Sequence, residues 1–323
     1  MVNHAVILAI GNTHNHSKLT YNRSHSMLPA LGKPIFVRTM ERLYRFGIRE
    51  YTVVIGEAEG AVASYLNGQW MPDVKINLMF CLMSDSLPVT MRQIAEKIQS
   101  PFVVCSYNSF MHTYFPERLM RLHSENPSAL IFSGAPKTLS HTPTLTHGIV
   151  EDKQVLRLSD HAENQGKSLI LNDLFICGGD MLDYLGRVEP QVAKTRQDLH
   201  FMDVATTYLN DGGAGLIAEA NWVLQVIADR DLLTLNKMLL DEGQDTHILS
   251  ELPYTVKVMP PVRIDPQVSV GQGAQIGPHV YLERGASVGH DAVVQNSMVL
   301  ARANVPAERT IVNTILTTRG PIN

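Results

Sequence analysis

Apolar and polar positions along the chain follow two different periods, and the change comes near residue 261. Before it, short β-rich runs alternate with stretches of helical spacing. Residues 5–10 and 51–56 read as strands, and between them residues 34–46 place Phe36, Met40, Leu43 and Tyr44 on one helix face. The alternation continues with a helix over 59–66, a strand over 76–82, a helix over 89–98 and a strand over 102–106. A helix with proline at its start follows over 116–124, then a strand over 130–133. Residues 201–209 and 231–240 also have helical spacing. Strand and helix in alternation predict a parallel, doubly wound α/β sheet, which binds ligands beyond the carboxyl ends of its strands.

After residue 261 an aliphatic residue recurs at every sixth position: Ile264, Val270, Ile276, Leu282, Val288, Val294 and Leu300. Two residues before each stands a small or apolar one: Val262, Val268, Ala274, Val280, Ala286, Ala292 and Met298. This hexapeptide repeat predicts a parallel β-helix with an aliphatic side chain stacked inside each turn. The same count runs on through Pro306, Val312 and Thr318, which makes roughly three coils. The pattern divides the chain into an α/β domain at 1–245, a linker at 246–261 and a coil at 262–323.

The first strand leads through Leu8, Ala9 and Gly11 into a polar loop, and Leu28, Pro29, Gly32, Lys33 and Pro34 follow. These residues resemble the opening of the sugar-1-phosphate nucleotidylyltransferases, which reads L-A-A-G-x-G-T-R, then P-K, then L-x-P-x-x-G-K-P. The resemblance extends over nearly the whole chain. It implies a Rossmann-like, mixed-sheet nucleotidylyltransferase domain followed by a short left-handed parallel β-helix of hexapeptide repeats. It also implies that residues 147–176 are antiparallel strands serving the sugar half. The family's reaction joins an NTP to a sugar 1-phosphate and releases pyrophosphate.

Phosphoryl transfer asks the protein to position phosphates and neutralise their charge. The family's charged positions are altered here. Its second glycine is Thr13, its Thr is His14, its Arg is Asn15, and its Pro-Lys is Ser24-His25. Asn15 offers neither charge nor a guanidinium fork, and an unperturbed His25 is mostly neutral near pH 7. Where the family has a Mg²⁺-binding Asp after a central strand, this chain has Asn108; the second metal carboxylate falls at Gln225, or at Ile227 in another register. The base-selecting turn falls at Ser86-Leu87-Pro88 and the sugar-phosphate lysine motif at Ser159-Asp160-His161. The resemblance therefore implies a nucleotidylyltransferase-like protein with impaired catalysis, acting as a regulatory, sensor or assembly subunit, for which no cofactor is assigned.

The alternative is an active transferase with rearranged ligands, using Mg²⁺. Lys18, Arg23 or His25 would then hold the phosphates, and Asp203 or another carboxylate the metal, with Asn108 a weak metal candidate. Candidate nucleotide and phosphate contacts are Leu8, Ala9, Gly11, Asn12, Lys18, Arg23, His25 and Ser86. A third reading, of a different class, is a small-molecule binding protein that keeps the pocket without turnover.

Composition narrows these readings. With 27 Lys and Arg against 31 Asp and Glu, net charge is −4 and no basic block occurs, which gives no case for nucleic acid. Cys81, Cys105 and Cys177 are isolated within apolar runs, as expected of buried thiols in a reducing compartment. No 18-residue apolar run predicts a membrane span, and the chain enters a strand with no signal-peptide core, so a cytoplasmic location is expected. Expected partners are a second copy or an active homologous subunit, met through the coil, and a nucleotide or sugar phosphate. His279 and His290 lie within the repeats and read as solvated corners rather than acyltransferase residues. His14, His16 and His25 read as polar loop residues before a metal site.

Overall fold

The strands His4–Ala9 (β1) and Glu50–Gly56 (β2) are buried along almost their whole length, as strands covered on both faces must be. They pair in parallel, with His4 opposite Glu50 and Ala9 opposite Ile55. The connection between them ends in α1 (Ile35–Tyr44), which buries Phe36, Met40 and Leu43. The computed structural model describes residues 2–10, 17–56, 59–67, 70–81, 87–141, 145–162, 166–187, 201–243 and 245–322. The chain divides into two units. One comprises residues 1–15, 24–27 and 35–225; the other comprises 16–23, 28–34 and 226–323.

The first unit continues with α2 (Gly60–Asn67), β3 (Lys75–Cys81), α3 (Leu87–Ile98), β4 (Phe102–Ser106) and β5 (Ser109–Met111). Then come α4 (Phe115–Glu125), β6 (Leu130–Ala135), β7 (His147–Glu151), β8 (Gln154–Ser159) and β9 (Lys167–Cys177). It closes with α5 (Gly179–Arg187), α6 (Phe201–Asn210), β10 (Gly215–Glu219) and β11 (Val223–Gln225). Nine of the strands form one sheet in the order β3-β2-β1-β4-β9-β6-β10-β8-β7. Its first four strands are mutually parallel, as the alternation predicts.

The sheet becomes mixed at β9, which runs antiparallel to β4 and β6. At eleven residues β9 serves two neighbourhoods. Its C-terminal half lies between β4 and β6, while Lys167–Ile170 pairs with β7. A register shift between Asn172 and Phe175 separates the halves, the bend a bulge supplies. Phe132, Phe175 and Phe201 stack in the core beneath, with centroids 5.5 and 4.9 Å apart. All three cysteines are buried and outside any disulfide among the described residues, and burial pushes the Cys105 and Cys177 thiols up. Helix α5 has no counterpart in the sequence reading: its buried side chains are Met181 and Leu185, one turn apart, too sparse a stripe to announce itself.

In the second unit, α7 (Asp229–Asp241) buries Leu232, Leu235 and Leu239. The Asp231 carboxylate accepts the orphan N–H groups of Ile227 and Ala228 at 3.0 and 2.8 Å, capping the helix start. Buried Asn236 accepts the Leu31 N–H at 3.0 Å and donates to the Pro29 carbonyl at 3.3 Å. The segment 28–34 also meets the repeats: Gly32 N–H donates to the Tyr281 hydroxyl at 3.1 Å, which donates to Asp265 at 2.8 Å. Arg263 Nε donates to the same carboxylate at 2.7 Å.

The repeats form three sheets, parallel from coil to coil, one of which ends in the antiparallel pair of Ile315–Thr317 with Gly320–Ile322. Lys257 pairs with Gln275 and Gln275 with Val293, eighteen residues on each time, so the chain passes once through each sheet per coil. Ile264, Val270, Ile276, Leu282, Val288 and Val294 are buried inside, with the small residues two before each. Beyond Val294 the sixfold count is corrected. Leu282 pairs with Val299, Val288 with Val305, Val294 with Ile311, and Val299 with Leu316. The interior residues are therefore Val299, Val305, Ile311 and Leu316, not Leu300, Pro306, Val312 and Thr318. Backbone conformation shows why. One residue with positive φ marks each corner: Gln267, Gly273, His279, Gly285, Asp291, Asn296, Arg302, Glu308 and Asn313. The spacing is six except at Asp291–Asn296 and Glu308–Asn313, where a side is one residue shorter.

The slip is testable. Val305→Asp should unfold the end of the coil, seen as a large loss in the urea midpoint, because it buries an unpaired charge. Val312→Asp, at a residue 42% exposed, should change stability by no more than about 0.5 kcal/mol.

Candidate functional site

The carboxyl ends of β1, β2 and β4 gather the residues that the sequence marks. Leu8 and Ala9 are buried in β1, and the Leu8 carbonyl accepts the Tyr107 N–H at 3.3 Å. Gly11, Asn12, Thr13, His14, Asn15, His16 and Ser86 lie outside the described residues. His25, at the family's lysine position, opens the short 3-10 turn His25–Met27 and is only 5% exposed. Its Nδ1 lies 2.8 Å from the Tyr107 hydroxyl, with the rings edge to face at 5.7 Å. The Thr39 hydroxyl donates to the Tyr107 carbonyl at 2.6 Å. Tyr107 is thus held through its N–H, carbonyl and phenol, and burial pushes the phenol's pKa up. At the position where the resemblance expects a lysine, the structure has an imidazole fixed against a neutral hydroxyl.

Beside this pair lies a carboxylate that the sequence reading does not single out. Glu59 is 1% exposed and accepts a hydrogen bond from the Ser26 hydroxyl, with Ser24 Oγ 3.3 Å from Ser26 Oγ. Burial raises its pKa, and the hydrogen bonds from Ser26 and Ser24 oppose that shift. Its charge in turn raises the Tyr107 phenol. The only sequence signal is an acidic residue just beyond a buried strand.

Asn108 and Gln225 are brought together. Asn108 sits in the turn between β4 and β5, and β5 pairs with β11 so that Gln225 lies opposite Ser109, the residue after Asn108. Gln225 is fixed by Ser140, whose Oγ accepts its N–H at 2.7 Å and donates to its carbonyl at 2.9 Å. Asn108 and Gln225, two positions at which the resemblance expects metal carboxylates, are thus neighbours across the paired strands, and both carry neutral carboxamides. Mg²⁺ sites rest on one or two carboxylates with phosphate oxygens, so these two residues do not fit the ion. Asp203 lies in the first turn of α6, half-buried. Among the described residues no three His, Cys, Asp or Glu side chains converge to hold a metal.

Two of the proposed substitute cations, Lys18 and Arg23, belong to the second unit. The Arg23 guanidinium straddles the Glu283 carboxylate at 2.8 and 3.5 Å, and Glu283 also accepts the Ala301 N–H at 2.8 Å. Lys18 donates its backbone N–H to Asp229 at 3.1 Å. Lys33 lies 3.9 Å from Asp245. His279 contacts Asp241 at 2.6 Å and His290 contacts Asp291 at 3.2 Å. Asp160 and His161 are exposed.

Asn172 is the other residue without a sequence signal. It is fully buried in β9 at the register shift, and neither its amide oxygen nor its nitrogen meets a partner among the described residues. Ser133 beside it directs its hydroxyl to the carbonyls of Leu174 and Asn172 at 2.7 and 3.3 Å. A buried amide with no partner normally has a water or ligand to satisfy it.

Glu59 sets a pH dependence. Its folded pKa is raised above the ordinary 4.5, so the folded state holds its proton where the unfolded chain releases it. Stability from this group is therefore greatest below the ordinary value and falls as pH rises through the raised one. Glu59→Gln should raise the melting temperature at neutral pH, and the gain should vanish in melts recorded well below pH 4.5.

Comparison with known proteins bears on both units. Residues 258–323 match the family model of the GMPPB C-terminal domain. A protein from Bacillus anthracis, named as a glucose-1-phosphate thymidylyltransferase and crystallised in complex with sucrose, shares the fold with a TM-score of 0.59. That match covers 72% of this chain and 94% of the other, at 13% sequence identity. No curated protein matches the chain by sequence. In fold over most of its length, and in sequence over its C-terminal domain, the chain is similar to the sugar-1-phosphate nucleotidylyltransferases that carry a C-terminal β-helix-like domain.

Proposed function

We propose that this chain is a nucleotidylyltransferase-like protein impaired in catalysis, working as a regulatory, sensor or assembly subunit. The observation that carries the reading is the pairing of β5 with β11, which sets Asn108 beside Gln225 where the resemblance places two metal carboxylates. Two amides bring no charge to hold Mg²⁺ against a triphosphate. His25, packed on Tyr107, supports the same reading at the lysine position. The active alternative loses support at Arg23, whose fork is committed to Glu283. By resemblance the coil is left-handed, and its partner is a second copy or an active homologous subunit.

The test is a matrix of NTPs and hexose 1-phosphates with Mg²⁺, reading pyrophosphate release and melting temperature in the same wells. We expect no pyrophosphate above the protein-free background from any pair; release that depends on this chain would overturn the reading. Asn172→Leu should raise the melting temperature of the free protein, since an unpaired buried amide costs about 1–3 kcal/mol.

A further inference from the structure

Within the second unit, the short 3-10 turn Lys18–Tyr21 and the hairpin of Ile315–Thr317 with Gly320–Ile322 line a cavity of about 360 Å³. Its polar lining is Ser17, Lys18, Thr20, Tyr21, Thr317 and Arg319. The hydroxyl protons here are largely committed. Ser17 donates to Asp229, Thr20 to the Ser17 carbonyl at 2.9 Å, and Thr317 to the Gly320 carbonyl at 2.9 Å. The Tyr21 hydroxyl shares a 2.8 Å bond with Thr318. Each hydroxyl has a single proton to give, so these groups have little left to offer a ligand.

The two cations differ. The Arg319 guanidinium stacks 4.1 Å from the centroid of the Tyr21 ring. Among the described residues neither it nor the Lys18 ammonium forms an ion pair, and both residues are exposed and line the cavity. Asp229 is the neighbouring carboxylate, and it accepts the Ser17 hydroxyl and the Lys18 backbone N–H. The ring holds the guanidinium plane in place, which lowers the entropy lost on binding. A planar fork and a point charge facing one cavity suit a tetrahedral, multiply charged acceptor. The volume exceeds that of a lone phosphate and lies in the range of small-molecule sites.

We infer that this cavity is a binding site for a phosphomonoester of sugar size, its phosphate held between Lys18 and Arg319. The lining of this cavity includes none of the residues around Asn108, so the two readings stand or fall independently. The test titrates the full chain calorimetrically, at low ionic strength, with inorganic phosphate, a hexose 1-phosphate, a hexose 6-phosphate and the free hexose. Phosphate should bind weakly, a hexose phosphate more tightly, and the free hexose not at all. The double variant K18Q/R319Q should melt like the wild type and lose about tenfold or more in affinity for each cation removed; R319K should fall between. Binding of inorganic phosphate without gain from either hexose phosphate would reduce the site to an adventitious ion only and overturn the proposal. It would also be overturned if no phosphate compound binds, or if hexose phosphate binding survives in K18Q/R319Q.

Discussion

The second unit depends on a close approach at Gly32. The buried Tyr281 hydroxyl accepts the Gly32 N–H and donates to Asp265, which is braced by Arg263. Gly32 has φ +79°, and a Cβ there would lie 2.5 Å from Arg263 Nη2. Any side chain would be strained by its own backbone and would collide with the guanidinium. The approach ties residues 28–34 to the repeats, and Asn236 ties the same residues to α7. This accounts for which half of the family motif survives. Leu28 and Pro29 are buried, and Gly32 and Lys33 have partners within the unit. These positions carry structure whether or not chemistry is done.

The parallel half of the sheet and the first coils were legible in sequence because burial there is periodic. Alternation of strand and helix is a local signal, and six-residue spacing repeats often enough to fix a register. The end of the coil was not legible. Leu300 and Met298 continue the count and are apolar, yet Val299 is the residue that pairs with Leu282. The shift arises where a side is shortened, which leaves no compositional mark. Ser297, fully buried, takes the place of Val280 and Thr314 follows it; its hydroxyl donates to the Gln295 carbonyl at 2.6 Å and accepts the Thr314 N–H at 3.1 Å. A polar pair thus substitutes for an aliphatic stack, and no hydrophobic count would find it.

The candidate site was legible where motif positions exist and opaque elsewhere. Asn108 and Gln225 were picked out separately, and only strand pairing shows them as neighbours. Glu59 and Asn172 gave no signal, since one follows a strand and the other sits inside one with nothing periodic about it. What makes them notable is burial without full compensation, a property of the folded chain alone. Fold likewise does not fix activity: 455 solved chains match this one, and one scaffold can host many chemistries. What distinguishes this chain on that scaffold is a pair of amides, a fixed imidazole and an occupied guanidinium.

The corners of the coil have a further consequence. In a two-sided sheet, loss of one residue turns every later side chain to the wrong face. Here each side ends at a corner marked by one left-handed residue, and sides of five and six residues both occur. Register is reset at every corner rather than counted from the start. A deletion is absorbed within the side where it falls, as at Asp291–Asn296, and the strands beyond still stack on those before them. This architecture can therefore drift in length through evolution without being rebuilt.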